Sequence, residues 1–145
     1  MNPPKARLLL SLRPEHAEAI FAGTKTVEFR RVRPRVSEGD WVLVYVTSPR
    51  KALVGAFEVA EVVTDHPASL WRRFAQCGGI TQERFDEYYA GATVAYGILV
   101  RRVMRLPEAL PLQLLRRRLP GFHPPQIYRY LKEAEIALVG AGAFG

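Results

Sequence analysis

Apolar residues recur along this 145-residue chain in two rhythms, and the alternation between them sketches the fold. Arg7 to Leu12 is a nearly unbroken apolar run that predicts a buried first strand. Pro14 suits a first helical position, Ala17, Ile20 and Phe21 follow at helical spacing, and Gly23 ends that helix. From Lys25 to Val32 the period drops to two: Val27 and Phe29 share one face, while Thr26, Glu28 and Arg30 share the other. After the Ser37-Glu38-Gly39-Asp40 turn, Trp41 to Thr47 is β-branched and aromatic almost throughout, the pattern of a strand covered on both faces. Ser48-Pro49-Arg50-Lys51 predicts a turn, and Ala52 to Thr64 a strand long enough to curl, with Gly55 marking a bulge or a close backbone approach.

Two short helices should follow. The first opens at Pro67, carries Leu70, Trp71 and Phe74 and stops near Gly78-Gly79; the second is capped by Thr81, buries Phe85 with Tyr88 or Tyr89 and stops at Gly91. Thr93 to Leu106 reads as another long strand. The proline-punctuated stretch from Pro107 to Pro120 leaves room for one helical turn, and Pro124-Pro125 should open a last helix with Ile127, Tyr130 and Leu131 inward. The glycine-rich end from Gly140 is expected to fray. Strands outnumber helices and are mostly joined by turns, so the expected class is α+β, a small mixed β-barrel with flanking short helices. One domain should span residues 1–145, with its core at about 7–131 and a tail at 132–145.

Lys25, Glu28 and Arg30 bring a cation, an anion and a guanidinium together just beyond a helix end, where a polar pocket can form. An ordinary surface salt bridge is the plain alternative and would contribute only about 0–1 kcal/mol. Should Lys25 be partly desolvated beside Arg30, its pKa falls and it becomes a candidate base or nucleophile. Tyr45, Thr47, Ser48 and Arg50 form a second candidate wall at a strand end, with turn satisfaction as the plain role of the hydroxyls and the core as that of Tyr45. Arg30-Arg31-x-Arg33-x-Arg35 is the densest basic run; such runs are usually solvated faces.

Composition narrows the classes. A hydrophobic fraction of 48% is enough for a folded core, so disorder is not expected away from the ends. The single cysteine, Cys77, excludes an internal disulfide and a thiolate cluster. His16, His66 and His123 lack metal-ligand spacing, so no metal is expected, and no glycine loop or dinucleotide fingerprint suggests a cofactor. No apolar run reaches the ~20 residues of a membrane span, and the start lacks a signal-peptide core, so a cytoplasmic location is expected. The net charge of +7 is mainly arginine, whose planar fork pairs with phosphates and stacks on bases. GC-rich coding or a thermophilic host produces the same bias, so charge alone leaves both explanations open.

In order along the chain, Gly23-x-Lys25-x-x-Glu28-x-Arg30, the leading Leu8–Pro14 block, Gly39–Tyr45, Thr47-Ser48-Pro49, Gly55–Val59 and Pro124–Leu131 resemble the ASCH family of the PUA-like superfamily of small β-barrels. The resemblance covers most of residues 7–131 and implies RNA binding or RNA-associated chemistry. It implies a ligand cleft lined by Lys25, Glu28, Arg30, Arg31, Ser48 and Arg50, with Gln126 and Tyr128 at the start of the last helix and Tyr128 stacking on a base. The partner so implied is RNA or a nucleotide-like ligand. An enzyme is the alternative, a ribonuclease or a modified-nucleoside amidohydrolase with Lys25 as base or nucleophile and Glu28 as its partner. Relatives resembling acetylcytidine amidohydrolases keep the lysine but place threonine where this chain has Glu28, and Thr26 stands one residue after the lysine rather than three. A third option is a protein-interaction module whose arginines meet an acidic partner. Oligomeric state is not legible.

Overall fold

Six strands form one mixed sheet, and the order in which they lie explains how the polar segment after the first helix comes to face a hollow. The structure is a computed structural model that describes residues 5–137, with side-chain surroundings from residue 8 onward. The elements are β1 (Lys5–Leu12), α1 (Pro14–Ala22), β2 (Val27–Arg30), β3 (Asp40–Val46), β4 (Ala52–Asp65), α2 (Pro67–Phe74), α3 (Gln82–Tyr88), β5 (Ala95–Pro111), α4 (Leu112–Arg118) and β6 (Tyr128–Tyr130). Their spatial order is β2-β5-β4-β3-β1-β6. β1 and β3 run parallel and the other neighbours antiparallel. The sheet curls as a half-barrel in which β2 and β6 remain edges, so the expected α+β class holds while the barrel stays open.

Both faces of the sheet are covered, as the unbroken β3 pattern requires. Ala17 and Ile20 of α1 pack with Leu8, Leu10, Val42, Val44 and Phe57 on one face. On the other, Leu115 of α4 and Phe122 pack with Leu9, Trp41, Leu43 and Tyr45. A third cluster joins β2 to α2 and α3 through Val27, Phe29, Leu70 and Phe85, with the Phe29 and Phe85 rings edge to face at 5.0 Å. Gly55 lies where β4 shifts register against β5, and a Cβ there would stand 2.2 Å from the Met104 carbonyl oxygen. Bulge and close approach therefore coincide at this glycine.

The chain departs from the sequence reading in three places. Residues 128–130 form strand β6 on the free edge of β1, not a helix opened by Pro124. The Tyr-Arg-Tyr segment has the aromatic content of a strand, and β1 offered an unpaired edge that outweighed the helical spacing. β5 continues through Pro107 to Pro111 because β2 pairs only with Tyr96–Leu99, which leaves the outer edge of β5 without a ladder that proline would break. α4 has two turns rather than one. The glycine-rich end lies outside the described residues.

Candidate functional site

The site begins with the way α1 stops. Gly23 adopts φ 85° and closes the helix, and the backbone N–H groups of Thr24 and Lys25 donate to the Ala19 carbonyl. The chain then turns directly into β2. A loop at residues 77–79 folds over this junction: Thr26 N–H donates to the Cys77 carbonyl, and the Lys25 Nζ donates to the Gly78 carbonyl. Glycine is needed twice here. A Cβ on Gly78 would lie 2.4 Å from Phe29 Cε2, and one on Gly79 only 3.1 Å from Lys25 Cδ. Lys25 is therefore sealed to 2% exposure, with its ammonium 5.6 Å from the Phe29 ring centre.

Burial is the main reason the Lys25 pKa falls below the usual lysine value; Arg30 lowers it further, and Glu28 opposes both. Glu28 and Arg30 are also buried, joined by one hydrogen bond from Arg30 Nη2 to Glu28 Oε1 at 3.1 Å. Among the described residues Glu28 Oε2 and Arg30 Nε have no hydrogen-bond partner. Two buried polar atoms without partners are costly in a fold and suited to a polar guest. The Arg30 carbonyl accepts from the Tyr89 hydroxyl at 2.9 Å, which ties β2 to the end of α3.

These groups open onto a cleft of about 790 Å³ between α1, β2, α3 and the segment leading into β6. Its polar lining includes Ser11, Arg13, His16, Lys25, Glu28 and Arg30. Thr47, Arg84, Glu87, Tyr88 and Gln126 line it as well. Four cationic side chains (Arg13, Lys25, Arg30, Arg84) face two carboxylates (Glu28, Glu87). His16 is half-buried, and its pKa is lowered first by burial and then by Lys25. A group of three His, Cys, Asp or Glu side chains able to hold a metal is absent among the described residues.

The structure gathers some of the expected site residues and separates others. Lys25, Glu28, Arg30 and Gln126 share the cleft. Tyr128 is not among its lining residues; its ring stands behind Arg30, 5.9 Å from the guanidinium, and braces it. Arg31 turns toward α3, where its Nη1 donates to the Tyr88 carbonyl at 2.8 Å. Ser48 is exposed in its turn, and Arg50 lines a different depression beside Phe21 and Arg105. Tyr45 is a core residue, and of that second wall only Thr47 reaches the cleft. The basic run disperses as well: Arg33 donates to the Thr64 hydroxyl and Arg35 covers the Tyr130 ring. Sequence reasoning missed Arg13, His16, Arg84 and Tyr88. The signal within reach was that His16 lies on the polar side of a helix ending three residues before Lys25.

Over 133 residues the chain is 29% identical to an ASCH domain-containing ribonuclease of Zymomonas mobilis, covering 92% of this chain and 89% of that protein. It superposes on the crystal structure of ASCH from Zymomonas mobilis with a TM-score of 0.85 at 28% identity, covering 92% and 93% of the two chains. The N-terminal domain of Staphylothermus marinus McrB shares the fold alone, with a TM-score of 0.57 at 10% identity over 97% of this chain and 98% of that one. The ASCH domain family matches residues 10–108, the span that holds α1, the buried Lys25, Glu28 and Arg30 and the loop sealing Lys25, and this chain belongs to that family.

Proposed function

We propose that this protein binds RNA and takes part of a strand into the cleft headed by Lys25, Glu28 and Arg30. The observation that carries this reading is the cation excess of a concave site, four against two, around a guanidinium with a free Nε. Arg13, Arg30 and Arg84 suit phosphate oxygens, for which the guanidinium fork is shaped. Glu28 Oε2 is placed to accept from a base edge or a sugar hydroxyl. Similarity to the Zymomonas ribonuclease supports RNA over other polyanions. The test is a binding titration of single-stranded RNA across salt. Neutralising up to four phosphates on a single strand predicts a log–log slope no steeper than about −3. A flat slope with measurable nucleoside binding refutes the strand and leaves a small-molecule pocket.

The second reading is a ribonuclease. It is favoured by the depressed pKa of Lys25 beside Glu28 and by the activity named for the Zymomonas relative. Incubation of an oligoribonucleotide with wild type and Lys25→Met tests it; cleavage that survives the substitution removes Lys25 from the chemistry.

A further inference from the structure

A second depression adjoins the cleft. It measures about 460 Å³ and is lined by Glu15, Gln76, Gly79 and Thr81 together with His16, Ile80 and Arg84. The last three residues also line the main cleft, so they form a saddle between two hollows. Each hollow falls in the ~300–1,000 Å³ range of sites that take nucleotide-sized ligands. Their polar linings differ. The main cleft adds Arg13, Lys25 and Arg30, whereas the second adds the carboxylate of Glu15 and the neutral Gln76 and Thr81, its one cation being the shared Arg84. A strand crossing both would place a linking phosphate at Arg84, on the saddle, with a nucleoside to either side.

His16 is the other polar group on that saddle. We propose that His16 is a catalytic base, removing the proton of the ribose 2′-hydroxyl next to the phosphodiester held at Arg84. This inference rests on the ribonuclease reading. The 2′-oxygen then bonds to phosphorus, the bond from phosphorus to the 5′-oxygen breaks, and that oxygen takes a proton from water. The products are a 2′,3′-cyclic phosphate and a 5′-hydroxyl, and His16 returns its proton to solvent. Lys25 is the poorer base because its Nζ is sealed against the Gly78 carbonyl. Burial lowers the His16 pKa and so favours the neutral ring that a base requires, with Lys25 and Arg84 also lowering it, while Glu28 and Glu15 pull the other way. Arg13, Arg30 and Glu87 are the remaining charges lining the same cleft.

The experiment compares an end-labelled oligoribonucleotide with the same strand carrying a single 2′-deoxy residue at the mapped cleavage position. Wild type should release the cyclic phosphate from the first and leave the second intact. His16→Asn should slow cleavage by about 10²–10⁴-fold. It should also lose the acidic limb of the pH profile, while its affinity for the deoxy-substituted strand and its melting temperature stay unchanged. Cleavage of the deoxy-substituted strand at the same position, or an intact acidic limb in His16→Asn, overturns the role of His16 while leaving a ribonuclease. Wild type that cleaves no RNA overturns the ribonuclease reading itself.

Discussion

Replacing Arg30 by methionine is expected to destabilise the fold far more than loss of a surface salt bridge would. The Glu28 and Arg30 side chains are each 9% exposed and share one hydrogen bond. At an effective dielectric near 20, charges about 4 Å apart attract by roughly 4 kcal/mol. Burial costs each ion several kcal/mol of hydration, so the intact pair contributes little net stability. Removing one member leaves that desolvation unopposed, which typically costs about 3–5 kcal/mol. Lys25 remains as a cation near Glu28, so the lower figure applies: about 3 kcal/mol, or a melting shift of roughly 6–12 °C at this chain length. Glu28→Gln should cost as much or more, because it leaves Lys25 and Arg30 buried together. The double variant should cost less than the sum of the two by about 2–3 kcal/mol. Denaturant melts of wild type, both single variants and the double variant close the cycle. Additivity to within about 0.5 kcal/mol would refute the claim that the two ions hold each other in the buried state.

Lys25 has a folded pKa below its usual 10.5, chiefly through burial, so the unfolded chain binds more protons between the two values and stability rises with pH across that window. Wild type should therefore gain on Lys25→Met as pH rises toward 10.5 in parallel denaturant melts; parallel profiles would count against a buried ammonium. The Glu135 carboxylate is buried, which alone would raise its pKa, yet the Arg129 fork at 2.7 and 2.6 Å and the Lys132 N–H bring it below the usual value. Its stabilisation is then present above the unfolded pKa of about 4.3 and is lost as pH falls through the folded one, so the difference between wild type and Glu135→Gln should vanish in melts taken at progressively lower pH. Gly78→Ala should cost about 1–3 kcal/mol, because its Cβ would meet a Phe29 ring already held against Phe85. A thermal melt unchanged from wild type would mean the loop shifts aside freely.

Much of the site was readable because its signals are local. Gly23 ends a helix for steric reasons that any context preserves, and alternation in β2 places Glu28 and Arg30 on one face wherever that strand packs. His16, Arg13 and Arg84 carry no such signature. They join the site because α1 and α3 line the same cleft, a meeting of residues about seventy positions apart. Ser48 and Arg50 show the opposite error: proximity in sequence to the β3 terminus suggested the cleft, but the turn carries them past its rim. The segment after Pro124 was misread because its apolar spacing fits a helix, whereas the free edge of β1 supplied backbone partners.

By itself the sequence determined the element types up to Pro124, the doubly covered sheet, the helix-stop-to-strand junction and the ionic trio, since each follows from steric preference or hydrophobic period over a few residues. Only the tertiary structure decided how deeply Lys25 is sealed, which arginines face the hollow and that His16 stands on a saddle between two depressions. Burial and electrostatic coupling depend on which distant segments pack together, and that is set by the whole core.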